Sequence, residues 1–131
     1  MTLATSGLEL VKATMEGIAF ELTLAFDALR AAGADVKLCR VAGGGTRSAW
    51  WMQLKADLLG IPVEVTNQLE PGTLGAALLA GVGIGAYRSL SDAAERVEIA
   101  HRYEPDHARR RKYQAKLDRH RAAVERLLGK Q

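Results

Sequence analysis

Three consecutive glycines, Gly43–Gly45, stand between an apolar segment and a segment with a helical pattern. Glycine permits a positive φ and lets the backbone come close to a ligand. The free N–H groups at the start of the following helix favour anions. Residues 43–48 therefore have two interpretations: a backbone cradle for a phosphate or nucleotide, or a tight strand-to-helix turn that binds nothing.

The two common phosphate-binding fingerprints do not fit this turn well. Gly43-x-Gly45-x-x-Ser48 lacks the third glycine of a dinucleotide-binding motif, and Glu64 falls inside the next predicted strand instead of at its end. A P-loop is excluded because the sequence contains no Gly-Lys-Ser or Gly-Lys-Thr. The glycines alone therefore do not identify a ligand.

Other residues that could do chemistry are more simply explained by structure. The histidines share no i, i+4 spacing that would favour a metal, and we interpret them as surface residues. Three aspartates stand at predicted element ends, where capping explains them. The single cysteine excludes a disulfide scaffold and fits a small core residue. We predict no catalytic residue and no metal ligand among these histidines, aspartates and the cysteine. The residues considered are His101, His107, His120, Asp35, Asp57, Asp92 and Cys39.

The elements that must position the turn follow from apolar periodicity. Residues 8–32 are predicted to form one helix, with Ser6 as N-cap and Gly33 as C-cap. Apolar residues recur on it at steps of three and four, which is a helical stripe. The stripe consists of Leu8, Val11, Met15, Ile18, Leu22, Ala25 and Leu29.

The rest of the chain is predicted to alternate strands with helices. A short strand ending at Ala42 and another at 62–66 flank a helix at 48–59, which indicates a parallel pair in an α/β fold. Two strands alone would leave both sheet edges open. A small-residue helix at 74–88 is expected to be buried, a short helix runs from Ser91 or Asp92 to about 99, and a basic terminal helix covers 106–128.

Composition indicates one soluble globular domain. The chain has 131 residues, of which 48% are hydrophobic and 25% charged. Its longest uncharged apolar run, 74–86, has 13 residues and is too short to span a bilayer. With no secretory leader visible, we expect a cytoplasmic protein without membrane contact.

The C-terminal part of the chain is strongly basic. Residues 101–131 carry ten Lys or Arg and four Asp or Glu, whereas the first hundred residues are net acidic. The run Arg109–Lys112 is interpreted as a solvated first helical turn. Nucleic-acid binding through this tail is a third-ranked hypothesis, and we do not expect it.

Four segments, in order and at matching spacing, resemble the FGGY carbohydrate kinases, in particular their xylulokinase-like members, of the actin/hexokinase/Hsp70 superfamily. The glycine turn with its helix, Val41–Val63, is similar to the adenosine-binding motif of this family, and Glu9–Phe20 is similar to part of its C-terminal signature. Gly72–Ala80 is similar to a small-residue helix of the family, and Tyr103–Tyr113 to its usual terminal helix.

The resemblance implies a partial ribonuclease H-like, actin-like ATPase domain of short parallel strands with several packing helices. Residues 1–131 would be the C-terminal portion of the second kinase domain, truncated at its N-terminus. ATP would bind at Gly43, Gly44, Gly45, Thr46 and Ser48, with Mg²⁺ in the complete enzyme. Trp51, Gln53 and Asp57 match positions better explained by packing and capping.

Departures from the family pattern limit the implied activity. The sequence has no Asp-x-Gly phosphate motif and no paired acidic cluster to accept a hydroxyl proton and hold a metal. We therefore expect a nucleotide-binding part of a ketose or polyol kinase that is inactive in isolation and binds adenine nucleotide weakly. Its partner would be a second copy or a complementary kinase fragment. The alternative is a stand-alone, non-catalytic interaction or oligomerisation module.

Overall fold

The computed structural model describes residues 6–68 and 70–129. Five α-helices and three β-strands follow one another in a mixed α/β order, with a short 3₁₀ turn, Gly44–Arg47, between the first strand and the second helix. The elements are α1 (Gly7–Ala31), β1 (Cys39–Val41), α2 (Ala49–Leu59), β2 (Val63–Thr66), α3 (Pro71–Gly83), α4 (Leu90–Ala94), β3 (Ile99–Tyr103) and α5 (His107–Leu127).

Helix α1 has the ends that the sequence predicts. The Ser6 side chain accepts a hydrogen bond from the Glu9 amide while the Glu9 carboxylate accepts one from the Ser6 amide, which is a capping box. Gly33, just beyond the last turn, has a φ of +89°. The face that α1 buries, however, is not its apolar stripe: its buried residues are Glu16, Ala19, Phe20 and Thr23.

The sheet has three strands, so the prediction of two strands is wrong. Its order is β1-β2-β3; β1 pairs with β2 in parallel and β3 pairs with β2 antiparallel. The predicted fourth helix extends to about residue 99, but α4 ends at Ala94, and residues 99–103 form the third strand. The strand forms because Tyr103 lies opposite Val63 and Arg102 lies opposite Glu64, which gives both faces of β2 a favourable cross-strand neighbour.

Helix α3 begins and ends earlier than predicted and is not buried. Pro71 occupies its first turn, where a missing N–H costs nothing. Gly81 is its one buried residue, covered by the Tyr87 ring, whereas Leu79 is 59% exposed and the following Ile84 is 84% exposed. The expected burial fails because α3 packs chiefly on the five-residue α4, which is too short to cover it.

The core lies on both sides of α2. On one side, Leu54 and Leu58 pack with buried residues of α1 and α5. On the other side, Met52, Ala56 and Leu59 pack with the inward residues of β2. A helix buried on two faces explains why its sequence lacks a strong polar face. The partners from the other elements are Ala19, Phe20, Leu117, Val63 and Val65.

Helix α5 is not simply a solvated basic face, as its composition suggested. Two ion pairs join it to the acidic side of α1, Lys116 Nζ to Glu16 Oε2 at 2.8 Å and Arg121 to Asp27 Oδ2 at 2.8 Å. His120 Nε2 lies 2.7 Å from Glu21 Oε1, within hydrogen-bond distance. His120 also packs against the Phe20 ring, with centroids 5.5 Å apart, so the prediction of a surface histidine is wrong for this residue.

The first turn of α5 is fixed to α2 by a buried carboxylate. Asp57 is 2% exposed, and its Oδ1 accepts hydrogen bonds from the Asp106 amide at 2.8 Å and from the Gln53 side chain at 2.7 Å. Asp106 in turn caps α5 by accepting from the amides of Ala108 and Arg109. Asp57 therefore joins two elements and does not cap its own helix.

We predict that Asp57→Ala lowers the free energy of unfolding by about 1–3 kcal/mol, because the Asp106 amide and Gln53 lose a buried acceptor. Urea unfolding followed by circular dichroism measures this. Asp35→Ala is the matched control, since Asp35 is exposed and pairs with Lys37 alone, and its effect should stay within about 0.5 kcal/mol. Equal effects of the two substitutions would contradict the assignment.

Candidate functional site: the glycine turn at the end of β1

The turn begins where β1 ends and closes on the N-terminus of α2. Gly43 has φ +91° and ψ −177°, a conformation that only glycine adopts readily. The Gly43 carbonyl then accepts hydrogen bonds from the Thr46 amide at 3.1 Å and the Thr46 hydroxyl at 2.7 Å. Ser48 caps α2 by accepting from the Trp51 amide at 3.4 Å.

The three glycines have three different environments. Gly43 is the one that needs a positive φ. At Gly45 an added Cβ would lie 2.9 Å from the Trp51 ring, so that position is closed by packing. At Gly44 φ is negative and an added Cβ would meet nothing within 4 Å. Gly43 is equally open, so Gly44 is the position of the turn where open space coincides with a backbone conformation that other residues can adopt.

The predicted side-chain ligands are already engaged within the turn. The Thr46 hydroxyl donates to Gly43, and the Ser48 hydroxyl accepts from Trp51. Both residues are half-buried, whereas Gly44 and Gly45 are exposed. What the turn offers a ligand is therefore the backbone of two exposed glycines next to the start of α2, where amides without helical partners favour negative charge.

Trp51 holds the turn against α1. Its indole N–H donates to the Met15 carbonyl at 3.0 Å, and its ring packs against both core clusters. The Lys55 ammonium lies 3.9 Å from the ring centroid, a cation–π contact, and burial lowers the pKa of Lys55. The packing role predicted for Trp51 is confirmed, and Gln53 likewise bridges Asp57 and the Glu104 carbonyl.

Sequence reasoning missed an ionic cluster on the outer face of the sheet. Glu64, on the central strand, accepts hydrogen bonds from Arg40 at 2.9 Å and from Arg102 at 2.9 Å. The hydrogen bond from Arg40, together with that from Arg102, holds the pKa of Glu64 below its usual value despite desolvation. The sequence did not indicate this cluster because Glu64 meets Arg102 only through the pairing of β2 with β3, and β3 was not predicted.

The basic run at the start of α5 is partly structural. Arg109 lies 3.0 Å from Asp106 and 3.6 Å from the buried Asp57, and Arg110 lies against Gly60 at the end of α2. Arg109 is nevertheless exposed, as predicted for a solvated first turn, whereas Arg110 is half-buried and departs from that prediction. His101 and His107 are exposed, as predicted.

Among residues 6–68 and 70–129, no three His, Cys, Asp or Glu side chains come together in a group that could hold a metal ion. Within the same ranges, no helix is both long enough and apolar enough to cross a bilayer.

Solved structures share this architecture. The xylulose kinase from Rhodospirillum rubrum aligns with a TM-score of 0.78 over 98% of this chain and 26% of its own length, at 27% identity. The Plasmodium falciparum glycerol kinase, solved with ADP, aligns with a TM-score of 0.75 over 96% of this chain and 25% of its own, at 31% identity. The fold is thus that of actin-like carbohydrate kinases.

The sequence comparisons make the assignment specific. Residues 1–84 match the C-terminal domain of the FGGY family of carbohydrate kinases. The glycerol kinase of Aromatoleum aromaticum is 36% identical over 130 residues, which is 98% of this chain and 26% of that kinase. This chain belongs to the FGGY family of carbohydrate kinases, as its motifs predicted. It spans about a quarter of the length of the relatives that it matches.

We predict that Gly43→Ala destabilises the protein by roughly 1–3 kcal/mol, because alanine is strained at φ +91° and ψ −177°. Gly44→Ala is the matched control one residue away, and with open space and a negative φ it should change stability by no more than about 0.5 kcal/mol. Thermal and urea unfolding of both variants measure the difference. A Gly44→Ala effect as large as that of Gly43→Ala would contradict the described turn.

Stability should also depend on the charge of Glu64. Because its pKa is lowered in the folded state, Glu64 stabilises the fold above its unfolded pKa of about 4.3, and this stabilisation is lost as pH falls through the folded pKa. Glu64→Gln should cost about 1–2 kcal/mol at pH 7 and little near pH 2. Urea unfolding at several pH values tests this, with Glu125→Gln, an exposed site on α5, as control. Equal losses at pH 7 and pH 2 would refute it.

Proposed function

We propose that this chain is the adenine-nucleotide-binding part of an ATP-dependent carbohydrate kinase whose acceptor is a sugar or polyol hydroxyl. The nucleotide would lie against Gly43, Gly44 and Gly45, with Thr46 and Ser48 shaping the turn. The domain would extend over residues 1–131 as the C-terminal portion of the second kinase domain, ending in the basic helix 106–128.

One observation carries this proposal: the glycine turn presents an exposed backbone with open space beside Gly44. Its shape is fixed independently of any ligand by the Gly43 conformation and by the Trp51 contact with α1. A preformed backbone surface at the carboxyl end of a parallel strand is where nucleotides bind in open α/β sheets. The P. falciparum glycerol kinase, solved with ADP, supports the same use.

The glycine turn, residues 43–48, fits the nucleotide of Mg-ATP but has no carboxylate to offer the metal ion. The space beside Gly44 and the start of α2 suit an adenosine and its nearest phosphate, since backbone approach and free amides are what the turn supplies. ATP would bring the phosphoryl group that the sugar hydroxyl receives. Among the described residues, no three His, Cys, Asp or Glu side chains come together in a group that could hold Mg²⁺. We therefore assign the metal ligands and the base to the rest of a complete kinase.

It follows that the isolated chain should not transfer phosphate. Three buried acids among the described residues are committed elsewhere: Asp57 to the start of α5, Glu64 to two arginines and Glu16 to Lys116. None lies beside the glycine turn as a free proton acceptor. We place the complete activity in the cytoplasm, where ATP is available, and only in the presence of the missing kinase parts.

A second candidate is a non-catalytic interaction module that retains the fold. The observation favouring it is the exposure of apolar faces on α1 and α3. The two candidates differ in one property: the kinase part retains nucleotide contact at the turn, whereas the interaction module needs none. Nucleic-acid binding is not proposed, because Arg109 and Arg110 and three further basic residues of α5 are held by contacts with α1 and α2.

A titration with ATP followed by amide NMR shifts tests the nucleotide site. We expect shifts clustered at residues 43–48 with weak affinity, on the order of millimolar. Gly44→Val should abolish them without unfolding, because its side chain would occupy the open space while φ there is negative. Gly72→Val, at an equally open glycine of α3, is the control and should leave the shifts unchanged.

The same titration has an outcome that would refute the proposal. Shifts centred on Arg109–Lys112, and unaffected by Gly44→Val, would mean that phosphate is attracted to the basic helix alone. In that case the interaction-module hypothesis would replace the nucleotide site.

A further inference from the structure

The Trp51 side chain is held at three points, and one of them is a charge. Its indole N–H donates to the Met15 carbonyl at 3.0 Å, which ties the ring to α1. The six-membered ring lies against Gly45, where an added Cβ would come within 2.9 Å of Cζ3 and 3.7 Å of Cε3. The Lys55 ammonium lies 3.9 Å from the ring centroid. The orientation of the indole therefore sets where the backbone at Gly45 can lie.

Lys55 contacts the ring because of its place on α2. Trp51 and Lys55 are four residues apart on this helix, so their side chains share one face. Lys55 is only 8% exposed, although lysine is among the residues least often buried without a partner. Among the described residues, its charge has no carboxylate partner and contacts the indole ring instead.

Packing alone does not explain a lysine at this position. Burial lowers the pKa of Lys55, which means that the folded environment disfavours the ammonium relative to water. An unbranched apolar side chain such as methionine would fill similar space without that cost. Residues that cost stability are commonly retained where a site needs them. The charge beside Trp51 therefore points to a role in the glycine turn that the ring supports.

We propose that Lys55 is a positioning residue for nucleotide binding: its ammonium holds the Trp51 indole against Gly45 and keeps the glycine turn in the geometry that receives the ligand. The proposal rests on the proposed function. Lys55 acts through the ring, and a cation–π contact is strongest when the ammonium is desolvated, as it is here. A loosened ring would let the backbone of the turn vary and would raise the entropic cost of binding.

Removal of the charge at nearly constant side-chain length tests this role. In Lys55→Met, we expect the carbon-13 resonance of Gly45 Cα and the Trp51 indole N–H resonance to shift in the nucleotide-free chain. The dissociation constant for ATP should rise at least about threefold, because the cation–π contact is lost. The urea midpoint should stay the same or rise, since a desolvated charge has been removed. Lys55→Arg keeps a cation for the ring and should restore the affinity to within about twofold of the wild type.

Lys37→Met is the matched control for the change in net charge. Lys37 is exposed and pairs with Asp35 at the surface. The same substitution there should leave both the Gly45 resonance and the affinity for ATP unchanged. An equal loss of affinity in Lys37→Met and Lys55→Met would mean that only the overall charge of the chain matters, and it would overturn the proposal.

A pH titration of the nucleotide-free chain gives a second readout. Because burial lowers the pKa of Lys55, its ammonium loses the proton at a lower pH than an exposed lysine does. The Gly45 resonance should stay constant below that pKa, move as pH rises through it, and stop moving in Lys55→Met. Around Lys55, β1 presents the Cys39 thiol, whose pKa burial raises, and α1 presents apolar Leu22 and Phe26 to the same cluster. Movement that persists in Lys55→Met and disappears in Cys39→Ser would assign the titration to the thiol and overturn the proposal.

Two further outcomes would refute the positioning role. One is a Gly45 resonance that does not change in Lys55→Met. The other is a fall in the urea midpoint with an equal loss of affinity in Lys55→Met and Lys55→Arg, which would mark a merely structural residue.

The nucleotide site itself is tested separately, by the titration of the wild-type chain with ATP. A wild type without shifts at residues 43–48 refutes the nucleotide site, while the nucleotide-free resonances still decide whether Lys55 positions Gly45. ATP shifts and affinity that are the same in the wild type and in Lys55→Met refute the positioning role alone.

Discussion

The burial of α2 on both faces is the constraint on which most of this structure depends. One face of α2, with Leu54 and Leu58, packs on α1 and α5. The other face, with Met52 and Leu59, packs on the sheet. The same helix carries Trp51, which ties the glycine turn to α1, and Asp57, which fixes the start of α5. The turn therefore has a defined shape because it is the N-terminal end of the best-packed element, and preformed backbone geometry of this kind lowers the entropic cost of binding.

The sequence predicted the part of the fold that local signals determine. The Ser6 N-cap, the Gly33 helix end and the β1–α2–β2 order all follow from residues near one another in the chain. The strand β3 could not be found in this way. Residues 99–103 have no strong alternation, and they form a strand because Tyr103 and Arg102 complement residues of β2 nearly forty positions away.

The candidate site was predictable in place but not in detail. Motif resemblance located the turn at 43–48, and the family assignment confirms the resemblance. The division of roles among the three glycines depends on the Trp51 ring and on φ angles, which no spacing rule supplies. The same limit applies to α3: its composition correctly indicates a helix, but the predicted burial is wrong, since Gly81 is its one buried residue.

The ion pairs between α1 and α5 have a consequence for biosynthesis. Glu16 and Asp57 are both buried, and their partners Lys116 and Asp106 come from the last quarter of the chain. A chain emerging from the ribosome N-terminus first therefore holds two buried carboxylates without their α5 partners, with only Gln53 and Lys12 of their own helices near them, until α5 has been made. Burial of an incompletely paired charge is unfavourable, so we expect α1 and α2 to remain loosely packed until then. We therefore expect this domain to close when the last helix is translated, and not when the glycine turn is.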